Sequence, residues 1–411
     1  MKINKHCFPT GLRLVHYEDT STQMVALNIV YDVGARDEHP EHTGFAHLFE
    51  HLMFGGSAHI PDYDTPLQLA GGENNAWTNN DITNYYLTVP KPNVETAFWL
   101  ESDRMLELAF SEQSLEVQRG VVMEEFKQRC LNQPYGDVGH LFRPLAFRVH
   151  PYRWPTIGKE LSHIEQATLD EVKSFFYRFY APNNAVLAVT GNISWDETVK
   201  LTEKWFAPIP RRDVPVRQLP QEPEQTQERR LTVERNVPLD ALFMGYHMCS
   251  REGADYYAFD ILSDILSNGR SSRLNRRLVQ EQNIFSGIDA YISGTRDAGL
   301  LQISGKPAAG VSLEQAEAAV RKELEELQRS PVDGQELEKV KNKFESTQIF
   351  GNINYLNVAT NLAWFELTGK AEDIDLEVER YRSVTTEQLH TVAQRTFCES
   401  NAVVLYYKSD K

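Results

Sequence analysis

At 411 residues, with 41% hydrophobic and 24% charged residues, the chain has the composition of a soluble globular protein long enough for two or more domains. A net charge of −16 leaves no basic excess for nucleic acid or an anionic membrane surface, and no 18-residue apolar run marks a membrane span. Cys7, Cys130, Cys249 and Cys398 are far apart with no C-x-x-C, which argues against a structural zinc knot or a disulfide framework, and the first residues lack a signal-peptide apolar core, so the expected location is cytoplasmic.

Residues 11–16 and 24–31 read as strands with a turn between them. The stretch 43–56 then reads as a helix with Thr43 as its N-cap and Gly55-Gly56 as its stop. Residues three and four apart share a helix face, so His47, Glu50 and His51 project together. Two imidazoles one turn apart can hold a Zn²⁺ ion, and the carboxylate beside them is placed to act as a general base toward water. A short helix over 62–70 follows, then the segment Asn74-Asn75-Ala76-Trp77-Thr78 and a strand over 83–89. Helices are expected over 93–108 and 115–130. The second carries Glu124 and Glu125, either of which could complete a three-ligand site. Adjacent helical residues point about 100° apart, so only one can face the metal, and the helix pattern leaves the choice open. A further helix opens at 168 with the capping box Thr168-x-x-Glu171, and residues 182–190 return as a strand.

Residues 208–230 are rich in proline and charge and read as an exposed, semi-extended linker between an N-terminal half (1–207) and a C-terminal half (231–411). The second half repeats the first. One constant shift carries Thr168-x-x-Glu171 onto Thr385-x-x-Gln388 and Asn184-Ala-Val onto Asn401-Ala-Val. Residues 241–246 resemble the second strand and 257–269 the motif helix, with Asp260, Ser263 and Asp264 where His47, Glu50 and His51 stand, so the repeat keeps the frame without the metal ligands. The expected fold is α+β, with two homologous halves, each an antiparallel sheet with helices packed mainly on one face.

His47-x-x-Glu50-His51 is the inverted zinc motif of the inverzincins. Together with the downstream glutamate, the duplicated halves and His150-Pro-Tyr with Gly158, it makes the chain resemble the M16 peptidases, the family of pitrilysin, insulin-degrading enzyme and the mitochondrial processing peptidase, in their short bacterial form. The resemblance implies a zinc metalloendopeptidase acting on short or unfolded peptides, with one Zn²⁺ per chain held by His47, His51 and Glu125 (six residues after Arg119) and Glu50 as general base. It implies that Asn75 and Ala76 lie on an edge strand that pairs with substrate backbone. A second glutamate that the family often has seven residues ahead of the ligand is Gln118 here, which removes a charge from around the metal. The Arg/Tyr pair that the family's C-terminal half supplies to the substrate falls on Val279 and Ser286, with Arg276 and Arg277 nearby. This departure implies a two-chain peptidase in which a zinc-less M16 paralogue supplies the pair. A homodimer is the alternative arrangement, and a non-catalytic scaffold or peptide-binding subunit the alternative function.

Overall fold

A computed structural model describes residues 1–410 of the chain. The first sheet comprises β1 (Ile3–Cys7), β2 (Arg13–Glu18), β3 (Met24–Tyr31), β4 (Glu73–Thr78), β5 (Thr83–Pro90) and β6 (Ala185–Gly191), in the order β1-β2-β6-β3-β5-β4. The second comprises β7 (Arg229–Arg235), β8 (Ala241–Met248), β9 (Phe285–Ile292), β10 (Gly299–Pro307) and β11 (Ala402–Ser409), in the order β7-β11-β8-β10-β9. The near-continuous apolar runs of β3 and β6 are buried at the centre of the first sheet, whereas β4 alternates between exposed and half-buried residues at its edge.

The duplication is legible in the topology. Leaving β1 aside, both sheets have the same strand order, and in both the last strand of the half lies between its first two long strands. Both sheets are mainly antiparallel, as expected, with one departure: the returning strand runs parallel to one neighbour, β6 to β2 and β11 to β7. The helices that feed the returning strands are built alike. The Thr168 and Thr385 hydroxyls accept the N–H groups of Glu171 (3.3 Å) and Gln388 (3.2 Å). Asn184 and Asn401 donate to the carbonyls of Phe179 (2.8 Å) and Thr396 (3.0 Å) at the other helix end.

Helices pack mainly on one face of each sheet, as expected, and a further helix covers the other face. In the first unit (Met1–Leu131, Trp154–Pro220, Ile349–Leu376), one core holds Leu27, Ile29 and Leu87 with Phe49, Phe98 and Phe176 of the N-terminal helices. The opposite face, with Val15, Ala26, Val30 and Val186, is covered by helix Tyr355–Thr368 through Val358, Ala359 and Leu362. In the second unit (Asn132–Arg153, Gln221–Gln348, Glu377–Lys411), helix Val138–Ala146 covers Ala241, Val403 and Leu405 through Phe142 and Ala146. Each unit therefore includes a helix from the opposite half of the sequence. The 208–230 linker separates the sheets in sequence but not the full membership of each unit.

Residues 210–226 form neither helix nor strand, β7 begins inside the expected linker at Arg229, and the segment is not free in solvent. Arg217 pairs with Asp32 (2.9 Å) and Asp37, Arg212 donates to the Tyr180 carbonyl (2.6 Å), and the Glu222 carboxylate accepts the backbone N–H groups of Arg148, Val149 and His150. Among the described residues, no helix is long and apolar enough to cross a membrane.

Candidate metal centre

The motif helix spans Phe45–Leu52 and buries Phe45, Leu48, Phe49 and Leu52 in the core of the first unit. Its remaining face carries His47 and His51, whose rings lie 4.9 Å apart and perpendicular. The second contributor is helix Glu112–Phe126, capped by the Ser111 hydroxyl and continuing as a π-helical turn over Lys127–Leu131. The two helices are joined where the Ser114 hydroxyl donates to the Gly55 carbonyl (3.2 Å). Arg119 fixes the second helix from its other side by donating to the carbonyls of Glu165 and Ala167.

This packing brings Glu125, and not Glu124, to the histidines. Glu125 Oε2 lies 3.5 Å from His47 Nε2 and 3.4 Å from His51 Nε2, and the three donor atoms all fall within 4.8 Å of one another. Glu124 points to solvent and pairs with Lys127 at 2.6 Å. A tetrahedral zinc ion with bonds of about 2.0–2.2 Å places its ligand atoms roughly 3.3–3.6 Å apart, so the imidazole–carboxylate spacings suit such an ion. The chemistry of the donors agrees. Burial lowers the His47 imidazole to about 4, so it is neutral at ordinary pH, as a ligand must be. The His51 hydrogen bond, with His47 and Arg129 nearby, holds the Glu125 carboxyl below the usual range. Among the described residues this is the group of three or more histidine, cysteine or carboxylate side chains gathered closely enough to hold a metal.

Glu50 lies beside the trio on the motif helix. Its Oε2 accepts the Thr78 hydroxyl at 2.6 Å, and burial raises its carboxyl while that hydrogen bond opposes the rise. Thr78 ends β4, which pairs with β5 on one side and is free on the other. Asn75 and Ala76 lie on this edge strand, where the Ala76 N–H is taken by the Asn75 side chain (2.8 Å). Gln118 is half-buried two turns before Glu125 and makes no hydrogen bond to the trio.

Several supporting residues were not legible in the sequence. Thr43 does not cap the motif helix. The cap position is Gly44, in the left-handed region at φ 88°, which has no side chain to offer. The buried Glu38 carboxylate caps the helix instead, accepting the N–H groups of Gly44 (2.9 Å) and Ala46 (2.8 Å). Thr43 is buried and turned away, its hydroxyl accepting the Lys159 N–H (2.7 Å) and pairing with His163 Nδ1 (2.9 Å). A Cβ on Gly44 would meet the Ile157 carbonyl at 2.9 Å, and one on Gly158 the Thr43 carbonyl at 3.1 Å, so two glycines let these backbones touch. Arg129 is the other addition. It lies 2.8 Å from Glu125 Oε1, and its i,i+4 spacing from Glu125 was the available signal.

Removal of the Glu38 cap by Glu38→Ala is expected to destabilise the protein by about 2 kcal/mol, because two buried helix N–H groups lose their acceptor. Thermal unfolding checks this. Burial pushes the Glu38 carboxyl up to about 8, against the two amide hydrogen bonds. The folded protein then holds a proton that the unfolded chain releases above 4.5, and this contribution to stability falls as pH rises from about 4.5 to 8. Glu38→Gln, which cannot titrate, should show a smaller drop in Tm across that window than the wild type.

Among the described residues, the C-terminal repeat gathers no such group. Asp260 accepts the Tyr381 hydroxyl, Asp264 accepts Asn268 (2.7 Å), and the Ser263 hydroxyl donates to the Asp260 carbonyl. Val279 packs against the core of the second unit, and Ser286 donates to the Lys306 carbonyl (3.1 Å). Arg277 is bound to Glu323 (2.6 Å) and Glu326, whereas Arg276 is largely exposed, 3.7 Å from Glu281.

Comparison with known proteins agrees with the fold. Residues 13–137 match the family model described as Insulinase (Peptidase family M16), and residues 166–344 the one described as Peptidase M16 inactive domain. The zinc protease PqqE of Helicobacter pylori is 26% identical over 404 residues, spanning 97% of this chain and 91% of that protein. The uncharacterized zinc protease YmxG of Bacillus subtilis is 24% identical over 406 residues and 98% of each chain. The crystal structure of a protease from Helicobacter pylori superposes with a TM-score of 0.94 at 26% identity over 99% of each chain. The first two relatives carry the name of zinc proteases, and both halves of the chain match models of one peptidase family. The chain belongs to the M16 peptidase family.

Proposed function

We propose that the protein is a zinc-dependent metalloendopeptidase that hydrolyses short or unfolded peptides, with His47, His51 and Glu125 holding one Zn²⁺ and Glu50 as general base. The observation that carries this reading is the convergence of two imidazoles and a carboxylate from two helices, with a second carboxylate one position from a ligand. Bound zinc supplies Lewis acidity, polarising a peptide carbonyl and acidifying water at the site to a pKa of about 7. Glu50 takes the proton from the attacking water as its oxygen bonds to the carbonyl carbon. The same carboxyl returns that proton to the departing nitrogen as the C–N bond breaks. The free edge of β4 at Asn75 and Ala76 holds an extended peptide by main-chain hydrogen bonds, which tolerates many sequences.

The partner reading is that a zinc-less M16 paralogue supplies the Arg/Tyr pair. It is supported by the packing of Val279, the small hydroxyl of Ser286 and the engagement of Arg277 with two glutamates. Cleavage of an unstructured peptide by the zinc-loaded chain, alone and with such a paralogue from the same source, tests it. Turnover only in the mixture is expected. Full turnover by the chain alone would overturn the two-chain requirement and direct attention to the exposed Arg276.

A further inference from the structure

We propose that Thr78 is a positioning residue for the reaction, and that through it the strand that receives the peptide also orients the base. The proposal rests on Glu50 serving as that base. Thr78 Oγ1 donates to Glu50 Oε2 at 2.6 Å, so one carboxylate oxygen is occupied and Oε1 is left for water. A glutamate side chain has several rotatable bonds, and a short hydrogen bond from a fixed donor selects one of its rotamers. The donor is fixed. Thr78 is in register with Thr83 of β5, and the buried Thr83 hydroxyl is itself bonded to the Val33 carbonyl (2.9 Å).

Thr78 also lies two residues beyond Ala76 on the free edge, about 6–7 Å along the strand. β4 is bonded to β5 on one side only, and the Ala76 N–H is met by the Asn75 side-chain oxygen (2.8 Å), which a peptide pairing along the free edge would displace. A peptide added to β4 therefore stiffens the same strand that holds Glu50, and the register of the peptide and the orientation of the base are set by one element. The side chains of Asn74, Ala76 and Thr78 are half-buried in alternation with the exposed Glu73, Asn75 and Trp77, which puts the Thr78 hydroxyl on the inward face.

The test compares Thr78→Val, which keeps the β-branched shape without the hydroxyl, with Thr78→Ser, which keeps the hydroxyl. Peptide turnover is measured in whichever assembly, alone or with a zinc-less paralogue, gives the higher wild-type rate. Zinc content and thermal stability are measured alongside. Thr78→Val is expected to lower kcat about 10-fold or more with KM changed less than about twofold and zinc content unchanged, while Thr78→Ser stays within about threefold of wild type. In a Glu50→Gln background the valine substitution should cost nothing further, since the amide that Thr78 still orients cannot take a proton. Wild-type turnover by Thr78→Val would overturn the proposal, as would a serine variant as slow as the valine one. If Glu50→Gln itself retains wild-type turnover, the assignment of the base fails instead.

Discussion

Glu50→Gln is expected to reduce turnover by about 10²–10⁴-fold, the range general acid–base catalysis contributes, while leaving zinc bound at one ion per chain. The amide is nearly isosteric, can still accept the Thr78 hydroxyl and is not one of the three clustered donors, so helix packing and ligand geometry persist. What disappears is a group able to take a proton. Loss of rate with full zinc content separates this role from ligation. A Glu50→Gln protein that cleaves at the wild-type rate would remove Glu50 from the mechanism.

The second large effect is expected at Glu125. Glu125→Ala deletes the carboxylate that stands 3.4–3.5 Å from both imidazoles and should lower zinc affinity by at least about 100-fold, beyond the 10–100-fold typical of changes around a ligand shell. Glu124→Ala removes only a solvent-exposed partner of Lys127 and should leave affinity within about twofold. Arg129→Ala falls between them, at about 10-fold, because it holds the other oxygen of the same carboxylate. Competition with a chromophoric chelator measures all three. The reverse ranking of Glu124 and Glu125 would move the ligand by one residue and contradict the observed helix phase.

The sequence left that phase open, because Val117 and Val121 are apolar too yet stay exposed, and only the fold shows which apolar residues are buried. Leu115, Val122 and Phe126 define the buried stripe of the helix, and at 100° per residue Glu125 lies about 60° from Val122 whereas Glu124 lies on the opposite side. The motif helix and the placing of His47, Glu50 and His51 beside one another were legible because they rest on local spacing. The features that were not legible depend on contacts between segments far apart in sequence. Thr43 fits every local rule for an N-cap, but its hydroxyl is engaged by Lys159 and His163, more than a hundred positions away, and Glu38 takes the helix N–H groups instead. Helix Tyr355–Thr368 carries apolar residues around much of its circumference, and nothing local says that its Val358 and Leu362 meet the sheet of the other half. The linker composition says nothing of partners, yet Arg212 and Arg217 are held by carbonyls and carboxylates that only the fold brings near.

Thr78 shows the same limit at the site itself. Its segment resembles a substrate-binding stretch, and its hydrogen bond to Glu50 spans 28 positions of sequence, with no periodicity to announce it.

The measurement that bears most directly on the central assignment is a zinc titration of the metal-stripped protein, read simultaneously as bound zinc and as hydrolysis of an unstructured peptide in the more active assembly. The expected result is that activity and zinc rise together, saturate at one ion per chain, and are both lost in the Glu125→Ala variant. Hydrolysis that persists after complete metal removal, or zinc that saturates the trio without turnover in any assembly, would contradict a zinc peptidase built on His47, His51, Glu125 and Glu50.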